Sequence, residues 1–317
     1  MYFDLNDGCN LRCVMCKGRK PSGRQRVMDE DFFTRRAPAL FRLAEDFQFG
    51  CTCEPLMVPY FERALSVLSK NLSPGIRGKS ISNGTLLTDA KASAIIDSDV
   101  FRVVSFSMDA SSEKLYEEIR RGAKHKKVLS NIGRLVNYRN SQRSQASLEF
   151  NFTIMRKNVH ELPAVIELAA DLGIDRVTTH KLFPDDYGFL DETYLKSIRE
   201  SHIAAEAAAR DKNVGFVGQQ YEALVDPPEM QTPRECAFRT GPMDLRMDAT
   251  GQLSPTCLLV SGPLGNIASA GPTEMLETMK ARYLFRCFQS VPAGKCTKCY
   301  AYRSRPQDER EPRELSP

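Results

Sequence analysis

The chain has 317 residues, enough for one large domain and a small appendage. Apolar residues make up 42%, charged residues 26% and the net charge is +4, an ordinary globular balance with no strong pull toward nucleic acid or membrane. No apolar run reaches the ~18 residues of a membrane span and no secretion signal opens the chain, so its ten cysteines point to reduced thiols in a cytoplasmic setting, used for metal or redox chemistry.

Over the first two hundred residues, short β-rich runs alternate with amphipathic helical patterns. Strands are predicted at Tyr2 to Asn6, Phe47 to Cys51, Lys79 to Ser82, Val103 to Met108, Leu148 to Ile154 and Arg176 to His180. Helices are predicted near Glu30 to Asp46, Tyr60 to Lys70, Asp89 to Asp97, Lys126 to Arg139, Val159 to Leu172 and Glu192 to Ala209. Six strand-helix units in a row argue for a parallel sheet with helical crossovers. Asn158 and Glu161 fit a capping box, and Gly173 fits the stop of the helix that follows. Near Val214 the alternation ends, Pro and Gly become frequent, and five cysteines fall between Cys236 and Cys299. Asp244 to Cys257 predicts a hairpin turning at Ala249-Thr250-Gly251. These patterns divide the chain into a core (1–219), a cysteine-rich appendage (220–302) and a charged, disordered tail (303–317).

The most informative residues follow the first strand: Cys9-Asn10-Leu11-Arg12-Cys13-Val14-Met15-Cys16. Three thiolates so close cannot all pair as disulfides, but they can converge on one metal centre. Three ligands on a cubane of four irons leave one iron open to chemistry. A zinc knuckle is the competing reading, but zinc asks for a fourth ligand, and neither Cys nor His lies within ten residues after Cys16. Further clusters follow the next strands: Cys51-Thr52-Cys53-Glu54-Pro55, Ser82-Asn83-Gly84-Thr85 and Ser107-Met108-Asp109. In parallel α/β folds the carboxyl ends of the strands carry the active site.

The Cys-x3-Cys-x2-Cys pattern after a first strand resembles the radical S-adenosylmethionine (radical SAM) superfamily, over roughly residues 1–210. The resemblance implies an α/β fold, a partial (β/α)6 TIM-like barrel. It also implies a [4Fe–4S] cluster on Cys9, Cys13 and Cys16, with S-adenosylmethionine on the open iron. Reductive cleavage of that cofactor would release a 5′-deoxyadenosyl radical that takes a hydrogen atom from substrate. Glu54-Pro55 is similar to the end of the family's Gly-Gly-Glu-Pro motif, which holds the methionine ammonium; Thr52 and Cys53 stand where the glycines would be. A helix N-terminal acid is the plainer reading of Glu54. Asn83 and Ser107 match positions near S-adenosylmethionine in relatives, although Asn83-Gly84 also reads as a turn. Arg120 matches an arginine that pairs with the cofactor carboxylate; a solvated basic patch is the alternative. Asn151 shares a strand face with Glu149 and Thr153, toward the barrel lumen.

Cys236, Cys257, Cys296 and Cys299 resemble the Twitch form of the SPASM extension, which implies one auxiliary [4Fe–4S] cluster. A four-cysteine zinc site is the alternative, and Cys287 competes with Cys236 for the ligand set. Cys51, Cys53 and Cys287 otherwise read as small buried hydrophobes. Cys53 and Cys287 are nonetheless candidate hydrogen-atom donors, and His180 with Lys181 a candidate base or substrate anchor.

The layout resembles radical SAM dehydrogenases of small molecules, so the first expectation is oxidation of a sugar or aminocyclitol, with the auxiliary cluster accepting an electron. The second is maturation of a ribosomal peptide by thioether formation, crosslinking or epimerisation; a chain that opens directly on strand one counts against it. The third is an iron–sulfur electron carrier or binding module without catalysis. The expected partners are a small-molecule or peptide substrate and an electron donor such as flavodoxin or ferredoxin.

Overall fold

The structure is a computed structural model that describes residues 1–16, 25–50, 52–181, 191–218, 245–255 and 265–269. Its strands are β1 (Tyr2–Phe3), β2 (Gln48–Phe49), β3 (Gly78–Ser82), β4 (Phe101–Ser107), β5 (Ser147–Ile154), β6 (Arg176–Lys181), β7 (Gly215–Val217), β8 (Leu245–Met247), β9 (Gln252–Pro255) and β10 (Gly265–Asn266). Its helices are α1 (Glu30–Arg36), α2 (Pro38–Phe41), α3 (Phe61–Asn71), α4 (Asp89–Asp97), α5 (Glu113–Ile119), α6 (His125–Ser141), α7 (Leu162–Leu172) and α8 (Glu192–Lys212).

All the strands described join one sheet in the order β10-β9-β8-β1-β2-β3-β4-β5-β6-β7. Neighbours from β1 through β7 pair in parallel, as strands joined by crossover connections do. β8 adds to the free edge of β1, also in parallel, and β9 and β10 continue it as antiparallel neighbours. The predicted hairpin is therefore present, turning at Gly251, and its first strand extends the sheet of the core.

Alternation along the strands separates two faces. Phe3, Phe49, Val104, Phe106, Phe150, Phe152 and Val177 are buried in the apolar core. The rings of Phe3 and Phe49 stack at 4.8 Å, and Phe49 stacks on Phe61 of α3 at 5.7 Å. The other face is polar. Glu149 accepts from Lys79 Nζ (3.2 Å) and Ser105 Oγ (3.0 Å) and pairs with Arg176, linking β3, β4, β5 and β6 across one face.

Several local expectations change. The single helix expected over Glu30 to Asp46 is two, α1 and α2. Pro38 has no N–H to give the carbonyl one turn back, so the first helix stops before it. The capping box at Asn158 does not form. Asn158 Oδ1 accepts from the Met155 N–H, and its amide donates to the Asp109 and Thr153 carbonyls. Glu161 reaches Ser111 and Ser112, and a single 3-10 turn (Val159–Glu161) leads into α7. Gly173 ends α7 at φ +78°, as expected. The helix α5 and the strands β7 and β10 are additions to the predicted set. Among the described residues no helix is long and apolar enough to cross a membrane.

Candidate active site

The cysteine loop leaves β1 and is clamped from two sides. On one side, Asn6 Nδ2 donates to the Glu54 carbonyl (2.9 Å), and the Glu54 N–H donates to the Gly8 carbonyl (2.8 Å). On the other, the N–H groups of Arg12 and Val14, which bracket Cys13, donate to the carbonyls of Arg121 and Ile119, both at 2.9 Å. Leu11 is buried between the clamps. Gly122 follows at φ +98°, and a Cβ there would lie 3.4 Å from Leu11 Cδ2. The end of α5 and its glycine turn thus form the seat of the loop.

The three thiols are presented toward the strand ends. Cys9 and Cys16 are exposed and Cys13 is partly covered. Asn83 Nδ2 lies 3.7 Å from Cys9 Sγ, and Arg120 Nη1 lies 3.8 Å from Cys13 Sγ. Burial pushes the Cys9 and Cys13 thiols up. Neighbouring Glu54 and Cys16 add to this at Cys9, and Cys9, Asp109 and Cys16 add to it at Cys13. Three mutually repelling sulfurs become thiolates together only around a cation, as metal binding provides. Among the described residues no three His, Cys, Asp or Glu side chains close on one point as a single ion would require. A cubane asks instead for one thiolate on each of three irons, and the donor set fits that group.

Glu54 is 2% exposed. Its carboxylate accepts from Ser82 Oγ (2.7 Å), the Asn83 N–H (2.8 Å) and the Leu56 N–H (3.1 Å), and it caps the 3-10 turn Pro55–Met57. Both readings of this residue therefore hold in part: it is a cap, and it is also a buried charge. Burial pushes its carboxyl up despite these donors. Among the described residues it makes no ion pair, and the Arg120 guanidinium acts on it only from beyond contact, so its charge has no cation beside it, which is costly in the interior. An ammonium group at this position fits.

Asn83 sits beside it, bonded to Asn10 Oδ1 (3.0 Å) and accepting from Thr85. Arg120 is buried rather than solvated. Its Nε and Nη2 both meet Asp109 Oδ2 at 2.7 Å. Burial opposes the guanidinium charge, but Asp109 and Cys13 outweigh it and the Arg120 pKa is raised. Asp109 is itself fixed by the Thr153 N–H at 2.7 Å. Ser107 ends β4, half-buried, in register with Asn151. Asn151 Oδ1 contacts His180 Nε2 across β5 and β6. Burial and the Lys79 ammonium hold the His180 imidazole below its ordinary value.

Cys53 Sγ lies 3.2 Å from Asp4 Oδ1. Asp4 is 2% exposed, accepts from Thr52 Oγ1 (3.0 Å), and pairs with Arg246 Nη2 of β8 (2.7 Å). Burial, then the Asp4 carboxylate, drives the Cys53 thiol far up, so it stays protonated. Asp4, Asp109 and Arg246 are residues around the site to which motif reading gives no role. The period-2 face of β1 and the Asp that closes Ser107-Met108-Asp109 were the signals for two of them. Cys51, Cys236, Cys257, Cys287, Cys296 and Cys299, and the tail 303–317, lie outside the described residues.

The Radical SAM superfamily profile matches residues 4–169, just over half of the chain. The chain belongs to the radical SAM superfamily. Its curated relatives include the cofactor-modifying protein of a tungsten-containing aldehyde ferredoxin oxidoreductase from Pyrococcus furiosus. That protein is 28% identical over 192 residues, 58% of this chain and 51% of the relative. An AdoMet-dependent heme synthase from Methanosarcina barkeri is 25% identical over 238 residues, 69% of this chain and 64% of the relative. The chain thus spans about half to two thirds of their length. Solved structures with the same fold include Streptococcus suis SuiB bound to S-adenosylmethionine, with a TM-score of 0.65 at 12% identity, covering 87% of this chain and 64% of SuiB. They also include anSMEcpe with bound AdoMet, with a TM-score of 0.62 at 16% identity, covering 95% of this chain and 86% of anSMEcpe. The fold is that of radical SAM enzymes, a mixed α/β architecture on a parallel sheet.

Proposed function

We propose that this radical SAM protein takes a hydrogen atom from an unactivated carbon of a substrate seated on the polar face of the sheet. One observation carries the reading most directly: at the strand ends Asn83 links Cys9 to the buried Glu54 carboxylate, Arg120 reaches Cys13, and among the described residues no cation is in contact with that carboxylate. Cys9, Cys13 and Cys16 would hold the [4Fe–4S] cluster. Glu54 would face the ammonium of S-adenosylmethionine, Asn83 and Ser107 would line its site, and Arg120 would meet its carboxylate. Bound together, these cofactors supply a carbon radical able to abstract hydrogen.

The remaining steps belong to the chain. Glu54, Ser82 and Asn83 hold the cofactor side rigid. Asn151 fixes the neutral His180 ring, which can accept a proton or anchor a substrate hydroxyl. Our first reading of the outcome is oxidation of a small molecule. An auxiliary cluster on Cys236, Cys257, Cys296 and Cys299, with Cys287 as the alternative ligand, would accept an electron, and a flavodoxin or ferredoxin would supply the reducing equivalent for cofactor cleavage. Four ligands close such a cluster and suit it to electron transfer.

A second reading rests on Cys53. Its thiol is held protonated against Asp4, the state a hydrogen-atom donor must have, and this supports an outcome redox-neutral for the substrate, such as epimerisation, with the thiyl left on Cys53 returned to thiol by one electron from the flavodoxin or ferredoxin and one proton from solvent. Turnover in heavy water separates the two. Oxidation gives a product lacking two hydrogens and carrying no solvent deuterium at the reacting carbon. Epimerisation gives an isomer with one deuterium, lost in Cys53→Ala. A protein that forms neither with its clusters intact refutes the proposal.

A further inference from the structure

The three guanidinium nitrogens of Arg120 are divided between two partners. Nε and Nη2 both meet Asp109 Oδ2 at 2.7 Å, which leaves Nη1 on the edge directed away from that carboxylate. Nη1 stands 3.8 Å from Cys13 Sγ, within reach of a hydrogen bond to sulfur. Neither end of this arrangement is free to drift. Asp109 is fully buried, its other oxygen accepts from the Thr153 N–H (2.7 Å), and its carbonyl accepts from Asn158 Nδ2 (2.9 Å). The backbone of Arg120 bonds to Tyr116 (2.8 Å) and Ala123 (2.9 Å). The carbonyls on either side of it, Ile119 and Arg121, hold the N–H groups on either side of Cys13. Arg120 and Cys13 are therefore fixed to each other through the main chain as well as through the side chain.

We infer that Arg120 donates a charge-assisted hydrogen bond to the Cys13 sulfur when that sulfur is a cluster ligand, and thereby raises the potential at which the cluster accepts an electron. The inference rests on the reading that Cys9, Cys13 and Cys16 hold the cluster. It gives the guanidinium a role that precedes the cofactor carboxylate proposed to meet it. A ligating cysteine is a thiolate, and hydrogen bonds between ionised partners are roughly twice as strong as neutral ones. Reduction adds one electron and makes the sulfurs more negative. A cationic donor therefore stabilises the reduced state more than the oxidised one, and hydrogen bonds to sulfur are among the determinants of cluster potential. Asp109 tempers the charge, but it holds the opposite edge, so the guanidinium stands between it and the sulfur. Arg120 is buried, so solvent screens the interaction little. Cys9 has a neutral counterpart in Asn83 Nδ2 at 3.7 Å, which makes Cys13 the charged corner of the two.

The test is a redox titration of the reconstituted protein, followed by electron paramagnetic resonance and run without S-adenosylmethionine. Arg120→Lys keeps a positive charge beside Asp109 but has no planar fork to span both partners. Its midpoint potential should fall by about tenfold in the reduction equilibrium, which is about 59 mV for one electron. The double variant Arg120→Gln with Asp109→Asn replaces the ion pair by a neutral amide pair, and its potential should fall at least as far. Wild-type protein grown on isotopically labelled arginine should show nitrogen coupling to the reduced cluster in pulsed resonance, and Arg120→Lys should lose it. Potentials equal to wild type in both variants, with equal iron and sulfide content, overturn the inference and leave the cluster assignment standing. Absence of arginine coupling in the wild type does the same, and that readout does not depend on either variant folding. Weaker S-adenosylmethionine binding in the variants without a shift in potential also overturns it, by confining Arg120 to the other cofactor. Wild-type protein that takes up no iron and sulfide overturns the cluster assignment and this inference with it.

Discussion

Glu54 carries a buried negative charge that three neutral donors solvate but do not neutralise. Such a site is built for a cation, and a bond to a charged group contributes about 1.5–3 kcal/mol. Glu54→Gln should therefore weaken S-adenosylmethionine binding roughly ten- to a hundredfold, measured by equilibrium dialysis on the cluster-loaded protein. The metal-free fold should not be destabilised by loss of the charge, because burial already works against it. Equal affinity in wild type and variant would remove Glu54 from the cofactor site. Arg120 shows how far single residues are legible in a sequence. Its spacing after the fourth strand marked it for the site, but the neighbouring basic residues made a solvated patch equally natural. What separates the readings is Asp109, eleven positions earlier, and no local pattern announces that pairing.

At the scale of elements, α5 matters most to the site and was absent from the predicted set. It is seven residues long and carries charges over much of its surface, so it offers little apolar periodicity to a reader of the sequence. Its function comes from its C-terminal end, where the orphan carbonyl of Ile119 and, just past the helix, that of Arg121 accept the N–H groups around Cys13. Gly122 makes this turn possible. At φ +98° a side chain is strained by ~1–3 kcal/mol, in a turn that packs directly against the cysteine loop. Gly122→Ala should lower the thermal midpoint and also reduce iron incorporation on anaerobic reconstitution. A variant that is less stable but binds iron normally would show that the turn supports the fold alone. The strands were legible because parallel strands run as apolar stretches bounded by turn residues. The helix over Glu30 to Asp46 was misread at Pro38, where apolar periodicity outweighed the missing N–H. The Asn158 cap failed because tertiary partners at Met155, Asp109 and Thr153 outcompeted the local bond.

The whole molecule is organised by its sheet. Strands far apart in sequence meet at β1, where Arg246 of the late hairpin reaches back to Asp4 and so to Cys53. Parallel order could be inferred from alternation, but this edge pairing could not, since three-residue strands carry no register of their own. His125 and His202 are buried and His180 is half-buried, and desolvation holds each imidazole below its ordinary value. Their folded forms bind a proton less readily than the unfolded chain, whose histidines titrate near ~6.5. The stability they contribute is present above that value and lost as the pH falls through it. Denaturant titrations should thus show decreasing stability from about pH 7 toward pH 5.5, with a shallower slope in His202→Gln; an unchanged slope would exclude His202 as a source. The most direct test of the account as a whole is the yield of 5′-deoxyadenosine from anaerobically reconstituted protein given S-adenosylmethionine and dithionite. The account predicts formation by the wild type and none by a variant with Cys9, Cys13 and Cys16 all changed to Ala. Cluster-loaded wild type that forms none, or formation that survives loss of the three thiols, would contradict it.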